Sequence, residues 1–323
     1  MDHNKNRILV TGGAGFIGSN VVDAYVQAGH EVSVVDNLST GKRSNVNPEA
    51  RFYQLDIRSP EIDELVKRER PDILNHHAAQ MSVSCSVSDP LLDADINIKG
   101  LLNLLESAVK HKVKKVIFSS SGGSIYGEVS EYPTSEEYQP RPLSPYAVSK
   151  LSSEHYLAYY RHEYGLDYTT LRYGNIYGPR QIPHGEAGVV AIFMDNLLKG
   201  KRSTLYHFPG DEAGMVRDYC YVGDVVKANL SALENGSGEV FNIGTGRGTK
   251  TLGLYKVILD AFKEVMGGVS EELETPARHM ARPGELSKSC LVVEKARGLL
   301  GWVPETDLKE GIRQTLEWHL NQP

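Results

Sequence analysis

Arg7-Ile-Leu-Val-Thr11 runs straight into Gly12-Gly-Ala-Gly-Phe-Ile-Gly18, and the reading of this stretch decides the fold. The apolar run Ile8–Thr11 reads as a buried strand and Phe16–Ala28 as an amphipathic helix behind it. Between them Gly13, Gly15 and Gly18 satisfy G-x-G-x-x-G, while Gly12, Gly15 and Gly18 equally satisfy G-x-x-G-x-x-G. Glycines at such a turn bring backbone N–H groups up to a pyrophosphate at the helix N-terminus. Alone the motif is weak, since any tight strand–helix turn favours glycine. Its context strengthens it, because the next strand, Glu31–Asp36, ends on an acid. A carboxylate at Asp36 can accept hydrogen bonds from adenosine ribose hydroxyls and repels a 2′-phosphate, which favours NAD over NADP. Asp36 could also merely open a turn with Asn37; position and motif together favour binding. Asp56, ending a third strand, either bonds the adenine amino group or caps a turn.

Outward from this loop the same alternation continues. Phe52–Leu55, Ile73–Asn75, Val116–Ser119 and Tyr168–Arg172 read as further buried strands. Glu61–Arg68, Asp93–Lys110 and Pro145–Tyr164 read as helices between them. Strands alternating with helices argue for an α/β, Rossmann-type, doubly wound parallel sheet. After Asn175 the texture changes, with Gly and Pro clustered in Tyr177–Gly188 and Phe208–Gly214. The expected organisation is a nucleotide-binding domain over residues 1–174 and a smaller C-terminal lobe over 175–217 and 246–323 that binds substrate. The stretch 218–245, with Val222–Leu233 followed by the strand Val240–Ile243, is expected to return to the first domain.

Composition excludes several classes of function. A net charge of −6 carries no basic footprint for nucleic acid. Cys85, Cys220 and Cys290 lie far apart and form no ligand spacing, so neither a metal nor a disulfide framework is indicated. His76 and His77 adjoin, but neighbours in a strand point to opposite faces, so packing is the better reading. The polar start, Met1–Asn6, and the lack of a long apolar run predict no signal peptide, no membrane span and a cytoplasmic location.

Tyr146 and Lys150 form Tyr-x-x-x-Lys in Ser144-Pro-Tyr-Ala-Val-Ser-Lys150. Pro145 can start a helix, and a four-residue spacing puts both side chains on one face. A nearby ammonium, with a positive nicotinamide ring, is expected to lower the tyrosine pKa and make it a usable base. With 17 tyrosines in the chain, chance pairs are common, so the position downstream of a nucleotide loop carries the weight. Phe118-Ser-Ser-Ser-Gly-Gly-Ser-Ile-Tyr126-Gly127 follows a strand end, where a hydroxyl could bond a reacting oxygen. Its Ser/Gly composition also suits a plain polar loop.

These features, in this order, resemble the extended short-chain dehydrogenases/reductases. The closer resemblance is to UDP-glucose 4-epimerase and related nucleotide-sugar epimerases. It runs nearly end to end and includes Asp36-Asn-Leu-Ser-Thr-Gly41, His77-Ala-Ala-Gln80, Leu171-Arg-Tyr-Gly-Asn-Ile-Tyr-Gly-Pro-Arg180, Arg217-Asp-Tyr-Cys-Tyr-Val222, Ala281-Arg-Pro-Gly-Glu285 and Lys295-Ala-Arg-Gly-Leu-Leu-Gly-Trp302.

The resemblance implies an isomerase that holds NAD and epimerises C4 of a UDP-sugar through a transient 4-keto intermediate. Tyr146 would be the base and Lys150 its electrostatic partner, both touching the cofactor. Ser121 would be the catalytic hydroxyl, with Ser120 the alternative because the loop is one residue longer than in well-known members. Cofactor contacts fall on Gly12, Gly15, Phe16, Ile17, Gly18, Asp36, Asn37, Ser39, Thr40, Gly41, Asp56, Ile57, Ala78, Ala79 and Gln80. Asn175, Arg217 and Arg282 match positions that hold the UDP moiety, as a diphosphate suits guanidinium forks. Ser289 matches a position that walls the sugar pocket, where a small residue admits N-acetylated sugars as well. Gly174, where relatives often carry a bulkier residue, and Phe208–Gly214 depart from the family pattern.

A 4,6-dehydratase or decarboxylase on the same fold would typically place an acid in the Ser-Gly-Gly-Ser segment, where this sequence has none. A reductase normally consumes NADPH, which Asp36 opposes. A catalytically silent NAD-binding protein is the reading from another class, and the intact Tyr146, Lys150 and Ser121 count against it. The family's homodimer, formed by pairing the long helices into a four-helix bundle, is expected here too. Leu101, Leu104, Leu105 and Ala108 recur at helical spacing and face either that partner or the sheet.

Overall fold

The computed structural model describes residues 5–183, 188–281 and 285–321. Its first half is β1 (Arg7–Thr11), α1 (Phe16–Gln27), β2 (Glu31–Val35), β3 (Arg51–Tyr53), α2 (Glu61–Glu69), β4 (Ile73–His76), α3 (Val83–Ser88), α4 (Pro90–Ala94), α5 (Gly100–Lys110), β5 (Lys115–Ser121), α6 (Pro145–Tyr164) and β6 (Asp167–Tyr173). Then come β7 (Asn175–Tyr177), α7 (Val189–Leu198), β8 (Thr204–His207), β9 (Val216–Tyr221), α8 (Val222–Ser231), β10 (Glu239–Ile243), β11 (Gly248–Lys250), α9 (Thr251–Met266), α10 (Glu271–Glu274), β12 (Ala277–Met280) and α11 (Leu308–Leu320).

Seven strands form one sheet in the order β3-β2-β1-β4-β5-β6-β10, every neighbouring pair parallel. This is the α/β doubly wound architecture that the glycine turn announces. Side chains of β1 alternate across the sheet, so Ile8 and Val10 join Val21, Val22, Tyr25, Val225 and Ala228 on the face covered by α1 and α8. Leu9 points the other way, into a core with Leu65, Leu74, Leu101, Leu104, Leu105, Val116 and Leu157 under α2, α5 and α6. Leu101, Leu104, Leu105 and Ala108 are fully buried there, so of their two possible partners they face the sheet.

The order reverses between β1 and β4, and a crevice opens outside the carboxyl ends at such a switch point. The smaller lobe stands over that end. It holds a three-stranded sheet, β11-β9-β7, a parallel pair, β12-β8, and an apolar core of α7, α9 and α11. Strand β10 returns to the edge of the large sheet beside β6. The sequence places the return at residue 218. Strand β9 instead pairs with β7 and β11, so the chain rejoins the large layer at α8.

The stretch expected as one helix over Asp93–Lys110 is more elaborate. It starts at Pro90, where the Asp89 side chain accepts from Leu92 N, and widens into a π-helical turn over Asp95–Lys99. Asn97 sits in that turn with its side chain held by Gln80, Asp93 and Ser149. Wide turns of this kind gather at functional sites, and this one adjoins the crevice.

Candidate active site

The glycine turn leaves no room for side chains. Gly12 has φ +72°, and a Cβ there would lie 2.6 Å from Ala78 N; at Gly18 it would lie 2.2 Å from Gly12 O. Gly15 caps α1 in an extended conformation without a side-chain cap. The first-turn N–H groups of Phe16 and Ile17 therefore face an open cleft of about 800 Å³, which both residues line. That arrangement fits a phosphate group.

Asp36 lies on the same cleft at the end of β2. One carboxylate oxygen accepts from Ala14 N (3.0 Å) and the other from Leu38 N (2.8 Å). Asn37, Ser39, Thr40, Asp56, Ile57, Ala78, Ala79 and Gln80 continue the wall. Asp56 accepts from Asn37 Nδ2 and is paired to Arg58, which holds its pKa well below the usual carboxylate range. Gly41 does not line the cleft. It lies behind Asp36, where a Cβ would meet Ala14 Cβ at 2.9 Å and Asp36 Oδ1 at 3.0 Å, so it lets the loop close on the glycine turn.

Three residues that line this cleft carry a buried side-chain polar atom with no hydrogen-bond partner among the described residues: Asn175 Oδ1, Arg180 Nη1 and Gln181 Oε1. Orphaned buried groups are rare in folded proteins, and a polar ligand is one thing that satisfies them. Together with the glycine cradle and Asp36 they fit a dinucleotide with a second polar ligand beside it. His76 turns away, its Nδ1 2.6 Å from the Thr11 hydroxyl and its ring stacked on Phe118. His77 lines the cleft and stacks on Tyr173, its pKa drawn down to about 3 by burial and by the Lys150 charge, against a hydrogen bond to Asn229.

Ser144 accepts from Ala147 N and Pro145 opens α6, which sets Tyr146 and Lys150 one turn apart on the cleft. Lys150 Nζ donates to Ser119 O (2.8 Å), lies 4.8 Å from the Phe118 ring centroid and 6.0 Å from that of Tyr146. Burial draws its pKa down to about 8, against the pull of Asp93 and Glu154. Tyr146 is pulled the other way in the protein alone. Burial pushes its phenol up to about 12, with a hydrogen bond to Ser121 acting the other way. The protein's own groups do not lower this pKa, because desolvation outweighs them.

The two candidate serines separate by partner. Both line the cleft, but the Ser120 hydroxyl is spent on Glu154, which pairs with the buried Arg172; Arg172 in turn donates to Tyr126. Ser121 faces the cleft, bonds Tyr146 and donates to Ser124 Oγ at 3.1 Å.

Across the cleft stand Asn175 at the start of β7 and Arg217 on β9. Arg217 donates to Val216 O (2.9 Å), and burial lowers its pKa. Arg282 falls outside the described residues. Ser289 is 7% exposed, which rules out a solvent-facing side chain. Its N–H donates to Val216 O, and it lines a separate cavity of about 10 Å³ with Gly122, Gly123 and Lys288. That is room for about one water.

Sequence reasoning missed several neighbours. Ser124 stands behind Ser121. Asp93, fully buried, accepts from Gln80 Nε2 and Asn97 Nδ2, and Asn97 Oδ1 accepts from Gln80 N. An asparagine inside a helical pattern is a weak signal of such a role, since its side chain competes for backbone groups. Arg180 also lines the cleft and ion-pairs with Asp23 on α1.

The comparisons with known proteins agree with this geometry. Residues 8–244 match the model of the NAD dependent epimerase/dehydratase family. The chain is 44% identical to a putative UDP-glucose 4-epimerase of Methanocaldococcus jannaschii, covering 97% of this chain and 98% of that one. Among solved structures it resembles UDP-glucose 4-epimerase of Thermotoga maritima with UDP-glucose (TM-score 0.91, 50% identity, 97% and 98% of the two chains). It also resembles UDP-glucose 4-epimerase of Thermus thermophilus with NAD (TM-score 0.88, 46% identity, 98% and 99%). On a match over more than half its length, with relatives this similar spanning nearly all of it, the chain belongs to the NAD dependent epimerase/dehydratase family.

Proposed function

We propose that the chain is an NAD-dependent 4-epimerase interconverting UDP-glucose and UDP-galactose. The observation that carries this reading is the hydroxyl pair Tyr146–Ser121, with Lys150 beside it, in the same cleft as the glycine turn, Asp36, Asn175 and Arg217. Gly12, Gly15, Phe16, Ile17 and Gly18 would hold the cofactor's pyrophosphate and Asp36 its ribose. Bound NAD supplies a hydride acceptor that gives the hydride back, together with the positive ring charge that Tyr146 lacks in the protein alone.

Tyr146 takes the proton of the sugar's 4-hydroxyl, and Ser121 holds that oxygen by a hydrogen bond. Lys150 stabilises the phenolate through charge rather than through contact with substrate. Asn175 and Arg217, with Arg282, keep the diphosphate anchored while the 4-keto sugar turns over in the cleft. With NAD held in the cleft the residues would support an epimerisation with no net redox change.

A dehydratase needs an acid beside the sugar's C5 and C6. Asp36, Asp56 and Glu285 are the carboxylates that line the cleft among the described residues, and the Ser119–Gly127 segment contributes none. Incubation with a panel of UDP-sugars, without added cofactor, tests the reading. The epimer is expected; a dehydrated keto-sugar or no product would contradict it.

We further propose a cytoplasmic homodimer. No helix of the described residues is long and apolar enough to cross a membrane. Val148, Tyr156 and Tyr159 form an exposed stripe along α6, and Val87 (63% exposed) and Leu91 (82%) stand out on the neighbouring α3 and α4. Apolar side chains clustered like this mark a contact face. A wider sugar range is also proposed. Ser289 stands with Gly122 and Gly123 around the small cavity beside the cleft. In the family that the chain resembles a small residue at this position goes with acceptance of N-acetylated sugars, so UDP-GlcNAc is expected as a second substrate.

A further inference from the structure

Arg180 is not used by the mechanism above, yet its setting is unusual. Its backbone has φ +72°, a left-handed conformation that L side chains rarely adopt and that glycine adopts freely. An arginine kept at such a position points to work for its side chain. The guanidinium lines the cleft, with the side chain 23% exposed. Nη2 pairs with Asp23 at 2.6 Å, while Nη1 is buried and has no partner among the described residues. One prong of the fork is fixed and the other is buried and unpaired among the described residues.

The loop that carries it is fastened to one place. Asn20 Nδ2 donates both to Phe16 O (2.8 Å) and to Pro179 O (3.2 Å). Pro179 therefore lies against the first turn of α1, the turn whose open N–H groups make the phosphate cradle. Asp23, which orients the guanidinium, is on the same helix. The anion that both ligands of this cleft share is a diphosphate, that of NAD and that of the UDP-sugar. Fastening to α1, rather than to the strands carrying Asn175 and Arg217, favours the cofactor's.

We propose that Arg180 is a second phosphate-binding group for the pyrophosphate of NAD, supplied by the loop after β7 and acting with the first turn of α1. The proposal rests on the assignment of NAD to the glycine turn. It adds a grip from the far half of the chain, so the cofactor ties the two lobes together and stays bound between turnovers. A guanidinium with one prong held on a carboxylate is pre-oriented, which gives a charge-assisted bond to phosphate oxygen at little further ordering cost.

The test uses the holoenzyme. NAD release is followed by exchange against isotopically labelled NAD, and UDP binding by calorimetry, in wild type, Arg180→Met, Arg180→Gly and Asp23→Asn. Loss of one charge-assisted hydrogen bond predicts release faster by about tenfold or more in both Arg180 variants, with UDP affinity unchanged. Arg180→Gly relieves the backbone, so its cofactor loss should come with thermal stability at least equal to that of Arg180→Met. Asp23→Asn keeps the guanidinium and should speed release less than either. Three results overturn the proposal: unchanged release in Arg180→Met; weakened UDP binding with normal NAD release; or an Asp23→Asn effect equal to that of Arg180→Met, which would make Arg180 a structural latch. Wild-type protein purified without NAD would instead overturn the cofactor assignment, and this proposal with it.

Discussion

Tyr146 and Lys150 meet opposing demands. Both are buried, and burial disfavours the charged form of each, so the phenol is pushed up to about 12 and the ammonium drawn down to about 8. The reaction needs both groups charged, and the missing positive field must come with the cofactor. Tyr146→Phe removes one oxygen and should leave the fold and bound NAD intact while turnover falls by about 10²–10⁴-fold. Near-normal turnover in that variant would take Tyr146 out of the mechanism. Lys150 offers a second check through stability. Its folded pKa lies below the ordinary 10.5, so between about 8 and 10.5 the unfolded chain binds the extra proton. Unfolding free energy then rises with pH across that window. In cofactor-free protein the wild type should gain on Lys150→Met from pH 8 to 10; a constant difference would mean that the ammonium is not desolvated. Legibility at this scale tracks distance along the chain. Tyr-x-x-x-Lys and the glycine turn are local spacings and can be read directly. The choice between Ser120 and Ser121 depends on which face of β5 meets Glu154 on α6, which no local pattern contains. Arg180 gives no sign in the sequence of its left-handed backbone.

Among the elements, those with a clear period were legible and those bent by side-chain bonds were not. The strands on either side of the switch point and α6 stand where apolar runs and Pro145 put them. The α4–α5 stretch widens at Asp95–Lys99 around Asn97, a distortion anchored by Gln80 and Ser149 from other segments. The same helices decide assembly. Leu101, Leu104, Leu105 and Ala108 are spent on the sheet, so the proposed dimer face would use Val87, Leu91, Val148, Tyr156 and Tyr159. Light scattering at micromolar concentration should report a dimer for wild type and a monomer for Leu91→Glu combined with Tyr159→Glu. A charged side chain in an apolar seam costs far more than it does in water. A monomeric wild type would contradict the assignment of this face.

For the whole molecule, the doubly wound sheet follows from the alternation of strands and helices. The interleaving of the lobes does not, because β9 and β10 are close in sequence and belong to different sheets. This interleaving brings Ser289 against Val216, beside the Gly122-Gly123 turn. If Ser289 bounds the sugar pocket as proposed, Ser289→Tyr should suppress conversion of UDP-GlcNAc and spare UDP-glucose, since added bulk there would exclude the larger sugar without touching the shared chemistry. Equal loss of both activities would remove Ser289 from the sugar pocket. The central claim is that hydride leaves C4 and comes back to the same carbon without escaping the protein. UDP-glucose deuterated at C4, incubated with the enzyme and no added cofactor, tests it most directly. The account predicts UDP-galactose with the deuterium retained at C4. Product with hydrogen at C4, or a 6-deoxy-4-keto sugar in its place, would contradict it.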